Sequence, residues 1–175
     1  MPIHAFVDET KVRGLTVVTA IFEPRDLAHA RSVMNSLRMK GQERLHFKSE
    51  RDSRRRQIMT AICELPVVVD IYDTWPATTT REARPAVLHR LIADLASNGA
   101  HRMVLEQDDS VMHADRRTLY ESVRAHGVEG RLVYEHLRAK SEPLLWIPDA
   151  VAWCWVKDNN WRERAKPVVR NVVTV

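Results

Sequence analysis

The chain has 175 residues, enough for one domain with a substantial core, and its 45% apolar and 29% charged residues are the balance of a globular protein. No stretch approaches the roughly 20 apolar residues of a membrane span, and residues 1–8 lack the charged and apolar regions of a secretory signal. The net charge of +4 is modestly basic; it excludes no partner, but its arginine-rich make-up suits phosphate.

Residues 3–8 and 15–22 are rich in β-branched and aromatic side chains and predict two strands. The polar link Glu9 to Gly14 is short enough for a hairpin. A helix is expected over 24–40, with Leu27, Ala30, Met34 and Leu37 on one face and Gly41 at its end. An extended piece at 44–48 leads to a helix over 52–64, started by Asp52 or Ser53. The apolar run 66–72 predicts a strand buried on both sides. The periodicity of Val87, Leu88, Leu91, Ile92 and Leu95 predicts a helix over 80–98, stopped by Asn98-Gly99. A strand at 102–107, a helix at 115–126 and a strand at 131–137 follow. The last helix is expected over 149–157, and the remainder is a Trp- and Arg-containing tail.

Two hairpin strands followed by alternating helices and strands predict an α/β fold, a mixed sheet with helices on both faces. There is no repeat, linker or low-complexity tract, so residues 1–175 are expected to form a single domain. Cys63 and Cys154 lie far apart in apolar surroundings, which points to free thiols and a cytoplasmic, reducing location.

Five dispersed glycines offer no phosphate-cradling loop, and neither a Gly-x-Ser-x-Gly elbow nor a His-Glu-x-x-His motif occurs. The distinctive feature is acid at strand ends. Phe6-Val7-Asp8-Glu9 and Val104-Leu105-Glu106 each finish an apolar strand with a carboxylate, and sites in open α/β sheets form beyond the carboxyl ends of parallel strands. Adjacent strands would join Asp8 to Glu106, and Asp149 at the last helix would complete the cluster. Such carboxylates repel one another unless a cation neutralises them. Mg²⁺ or Mn²⁺ suits oxygen ligands, and two ions can clamp a phosphodiester displacement. Glu9 and Asp109 are further candidate ligands, and Glu50 a weaker one.

Each acid has a plainer reading. Asp8 and Glu9 suit a turn, Asp108 and Asp109 a solvated loop, and Asp149 a helix N-cap. Asp70, within another buried strand, rivals Glu106 but suits a paired structural acid. His46 is a candidate for proton transfer or phosphate contact. Lys11, Lys48, Arg54 and Arg55 are candidate contacts to nucleic acid, although a solvated face explains such a charge run equally well. The tryptophans Trp146, Trp153, Trp155 and Trp161 are expected to pack the last helix onto the sheet.

Phe6-Val7-Asp8-Glu9-Thr10-Lys11, Leu45-His46-Phe47, Val104-Leu105-Glu106 and Pro148-Asp149-Ala150-Val151-Ala152 together resemble a bacterial family of uncharacterised ribonuclease H-like domains. In that family the first strand ends in Asp-Glu-Ser and the last helix begins Ala-Asp. The resemblance spans residues 3–169 and implies a ribonuclease H-like fold with metal held by Asp8, Glu106 and Asp149. Here Thr10 replaces the serine and Pro148 the small residue before the final Asp. The resemblance implies a divalent-metal-dependent nuclease; the alternative is a catalytically inactive module that binds nucleic acid or protein.

Overall fold

The computed structural model describes residues 2–74, 79–157 and 159–175. Strands β1 (Ile3–Thr10) and β2 (Thr16–Phe22) form the expected hairpin, with Thr10 opposite Thr16. Gly14 makes its turn possible at φ 74°, and a Cβ there would meet Thr74 Oγ1 at 3.1 Å. The chain continues through α1 (Leu27–Ser36), α2 (Asp52–Cys63), β3 (Val68–Asp73), α3 (Thr80–Ser97), β4 (Ala100–Glu106), α4 (Met112–Ala125) and β5 (Val133–Leu137). It ends with α5 (Trp146–Lys157), α6 (Asn159–Ala165) and β6 (Val169–Thr174).

The six strands form one mixed sheet in the order β5-β4-β1-β2-β3-β6. β1 is antiparallel to β2 and parallel to β4, while β4/β5 and β3/β6 are also parallel. Alternation along the strands divides the core into two layers. Phe6, Val18, Ala20, Ile71 and Val104 pack with α1, α2 and α5 on one face. Ala5, Val7, Val17, Met103 and Leu105 pack with α3 and α4 on the other. Helices on both faces of a mixed sheet are the predicted architecture. Among the described residues, no helix is long and apolar enough to cross a membrane.

Four local expectations need correction. The first helix stops at Ser36, because the chain turns through Leu37 and Arg38, whose N–H groups reach back to Met34 and Asn35. The piece at 44–48 is not a strand. Its alternating buried Leu45 and Phe47 mimic one, but the backbone closes a 3-10 turn in which Ser49 N donates to the His46 carbonyl at 2.9 Å. The tail is ordered as α6 and β6. Neither Asp52 nor Ser53 caps α2 with its side chain; Asp52 instead accepts from Arg55 at 2.7 Å.

Candidate active site

Register and pleat position the first two carboxylates. Val7 pairs with Leu105 across β1 and β4, so the next residues on each strand, Asp8 and Glu106, share the end of the two parallel strands. Phe6 and Val104 face the α5 layer, and Asp8 and Glu106, two residues on, share that face. Parallel pairing of β1 and β4 puts the two carboxyls side by side.

Asp149 reaches them from the first turn of α5. The helix starts at Trp146, three residues earlier than expected, and Pro148 fits its first turn, where a missing N–H costs nothing. Asp149 does not cap its own helix; its Oδ2 accepts the backbone N–H of Phe47 at 3.1 Å. That donor is held by aromatic packing. The Phe47 ring lies edge-on to Trp153 at 5.3 Å and Trp161 at 6.4 Å, and those two indoles meet edge-on at 5.3 Å. Arg55 covers Trp153 at 4.2 Å and donates to the Phe47 and Lys48 carbonyls at 2.9 and 2.7 Å.

Three carboxylates this close need positive charge. Burial pushes the Asp8 carboxyl well above the usual carboxylate range, and the hydrogen bond to Glu106 and the charges of Glu106 and Asp149 add to it. The Glu9 N–H, donating to Asp8 Oδ1 at 2.7 Å, partly opposes this. Burial also raises Asp149, against the Phe47 N–H and the positive charges of Arg44 and His46. Sequence reasoning missed Arg44. Its Nη1 donates to Glu106 Oε1 at 2.9 Å, its Nη2 lies 3.7 Å from Asp149 Oδ2, and its Nε donates to the Leu45 carbonyl at 3.1 Å. It sits in a loop outside any periodic element, so only its neighbourhood to His46 and Phe47 hinted at it.

The other candidates separate. Glu9 points to the opposite face of the sheet, where it pairs with Arg84 and lies 3.4 Å from Lys11. Arg84 also pairs with buried Asp115 at 2.7 Å, and Asp115 and Glu9 together raise the guanidinium's affinity for its proton against the cost of burial. Asp109 is largely exposed and binds Arg138 at 3.1 Å, so neither acid joins the trio as the sequence suggested. Lys11 is held between Glu9 and Asp108, both at 3.4 Å. Arg54 contacts the Leu37 carbonyl and Glu50, while Glu50 accepts from Gln42 at 2.9 Å. Lys11, Arg54 and Arg55 are therefore occupied within the protein. Asp70 is the paired structural acid, bound by Arg170 at 3.0 and 2.5 Å and by Asn171 at 3.1 Å. His46 and Lys48 are exposed and line a groove with Asp149.

The donor set, three oxygen-bearing side chains from β1, β4 and α5, is of the kind that hard divalent cations take. Among the described residues, no group of three carboxylate, imidazole or thiolate side chains stands in ready-made metal-binding geometry. The Arg44 guanidinium bridges Glu106 and Asp149 instead.

The fold is ribonuclease H-like. The chain is similar to a solved structure from Archaeoglobus fulgidus, that of the PCNA:RNase HII complex, at 19% sequence identity and a TM-score of 0.56. The match covers 94% of this chain and 76% of that one. No family model matches the sequence, and no curated protein does.

Proposed function

We propose that the protein is a divalent-metal-dependent nuclease that hydrolyses phosphodiester bonds of nucleic acid. The observation that carries this reading is the convergence of Asp8, Glu106 and Asp149 where the parallel strands β1 and β4 end beneath the start of α5. The likeness to the RNase HII complex supports the scaffold. The motif resemblance to bacterial domains with a first-strand Asp-Glu-Ser and a final-helix Asp supports the same positions. In this reading residues 1–175 work as one cytoplasmic domain.

Asp8, Glu106 and Asp149 would hold Mg²⁺ or Mn²⁺. When bound, the cation would neutralise the carboxylates and stabilise charge on the oxygens of a phosphodiester displacement. The chain's own groups do the orienting. The Glu9 N–H fixes Asp8, and the Phe47 N–H fixes Asp149. His46 lies exposed on the same groove as Asp149, its Nδ1 3.3 Å from Ser49 Oγ, where its ring can return a proton to a leaving oxygen.

The Arg44 bridge favours a second reading, a module that keeps the scaffold and binds nucleic acid without cutting it. Calorimetric titration with Mn²⁺, paired with cleavage of single- and double-stranded DNA and RNA, decides between them. The nuclease reading expects metal binding and cleavage, both lost in Asp8→Asn. Metal-independent binding without cleavage would overturn it.

A further inference from the structure

The trio is flanked by two concavities of opposite character. One, of about 620 Å³, is walled by Asp8, Glu9, Glu106, Asp108 and Asp109. Its cations, Lys11 and Arg84, are paired with Glu9, Asp108 and Asp115. The other, of about 690 Å³, runs from Asp149 between the tip of the β1–β2 hairpin, the 46–48 turn and the last turns of α5. Arg13 stands on its hairpin wall with Glu9, which is paired with Arg84, and Lys48 and Lys157 stand on the opposite one.

These cations differ from most of the protein's arginines. Among the described residues twelve arginines, Arg44, Arg54, Arg55 and Arg84 near the trio included, each lie against a carboxylate. Arg13 and Lys48 are exposed and have no carboxylate partner among the described residues. Lys157 is exposed, its Nζ 5.7 Å from the centre of the Trp153 ring. Positive charge without an internal acid lines one side of the trio, and a polyanion gains most there, because each phosphate contact releases condensed counterions.

We propose that this groove seats the sugar-phosphate backbone of one single strand of nucleic acid, with Arg13 on one side of it and Lys48 and Lys157 on the other. The proposal rests on the nuclease reading for its choice of polyanion and adds to it the path and the strandedness. The cations face each other across one cleft. A duplex would carry its second row of phosphates over the hairpin or over the other concavity, where the acids, Asp8 and Glu106 among them, outnumber Lys11 and Arg84 and repel it. Bases find no stacking platform in Trp153, whose ring is covered by Arg55. Recognition is therefore of backbone, and indifferent to sequence.

The test is fluorescence anisotropy in EDTA at 50 mM salt, with a labelled 20-nucleotide single strand and the duplex of the same sequence. The intact protein should bind the single strand more tightly than the duplex. Combined Arg13→Ala, Lys48→Ala and Lys157→Ala substitutions should weaken single-strand binding at least tenfold. They should also reduce the slope of log affinity against log salt by about 2, from roughly 0.7 per contact on single strands. Arg117→Ala, on the exposed face of α4, serves as the charge control and should change neither. Unchanged binding in the triple variant, preferred binding of duplex, or no binding at low salt each overturns the proposal. Metal plays no part in this measurement. Groove-dependent binding without cleavage in Mn²⁺ would overturn only the nuclease reading, and cleavage that is indifferent to the groove would overturn only this one.

Discussion

Arg44 donates a 2.9 Å hydrogen bond to Glu106, tying the loop before Phe47 to the end of β4. With its other amino nitrogen 3.7 Å from Asp149, the guanidinium lies where carboxylate charge is densest. A divalent cation and Arg44 would compete for the same oxygens. In Arg44→Ala the metal-free protein should be less stable, because two part-buried carboxylates lose their counter-charge. Mn²⁺ should bind more tightly than in the parent, by a few-fold at low ionic strength. Calorimetry with Mn²⁺ reads the affinity and thermal unfolding in EDTA the stability; equal affinities would show that Arg44 does not occupy the metal's place.

Asp8 carries the cost of that crowding. Its carboxyl is buried against Glu106 and Asp149 with one backbone N–H as support. Replacement by Asn keeps the shape and removes a charge that burial disfavours. Without metal, Asp8→Asn should melt a few degrees higher than the parent, the scale on which about 1 kcal/mol moves a chain of this length. With saturating Mn²⁺ the order should reverse, since the parent gains binding energy that the variant lacks. A variant that melts lower in EDTA would mean that Asp8 is structurally satisfied.

The strand-end acids were legible in the sequence because an apolar strand that finishes in a carboxylate is costly unless the group is used. Which strand-end acids share a face follows from the period of two. It sends Asp8 to the α5 face and Glu9 to Arg84 on the other, although they are adjacent in sequence. Asp149 was legible in position, but its partner was hidden. The donor is a backbone N–H in a segment whose alternating Leu45 and Phe47 read as a strand. Arg44 gave no signal beyond its place beside His46 and Phe47, since loop residues carry no periodicity. The arginine run divided in a way that composition cannot reveal, with Arg55 spent on the Phe47 turn and Arg54 on Leu37 and Glu50.

Arg84 is the keystone of the opposite face, bonded to both oxygens of Asp115 at 2.7 and 2.8 Å and paired with Glu9. Removing it strands a buried carboxylate. Arg84→Ala should cost about 3 kcal/mol, the usual penalty for breaking a buried pair, read as a lower urea midpoint. Arg84→Ala combined with Asp115→Ala should recover part of that loss. Strict additivity of the two would show that they do not interact.

Two imidazoles set a pH dependence. Burial lowers His4, with the positive charges of Arg102, Arg31 and His101 adding to it. Burial also lowers His136, against the opposing charge of Asp115. The unfolded chain therefore binds protons on these groups from about pH 6.5 downward, while the folded one resists. Their contribution to stability is full above that value and is lost as pH falls through it toward the lowered folded values. Asp8, with its raised carboxyl, acts in the opposite sense, so the readout is a difference. Melting curves from pH 7.5 to 5 should fall less steeply in a His4→Gln/His136→Gln variant than in the parent. Parallel curves would mean that neither ring resists protonation.

The last strand was read from sequence as tail because Val169–Thr174 is an exposed edge whose valines, Val169, Val172 and Val173, do not alternate with polar residues. Its role is visible through Asp70, which the sequence ranked as a rival to Glu106. β6 lies parallel to β3 and brings Arg170 and Asn171 onto that buried carboxylate, on an outer strand pair separated from β1 by β2. Asp70 is thus neutralised by its own neighbours and has no share in the trio. Arg170→Ala, which leaves Asp70 with Asn171, should cost about 1–3 kcal/mol, the penalty of a buried acceptor that loses a partner. Asp70→Asn should leave Mn²⁺ affinity unchanged while lowering the urea midpoint. A loss of metal binding in Asp70→Asn at unchanged stability would move the site to the far edge of the sheet.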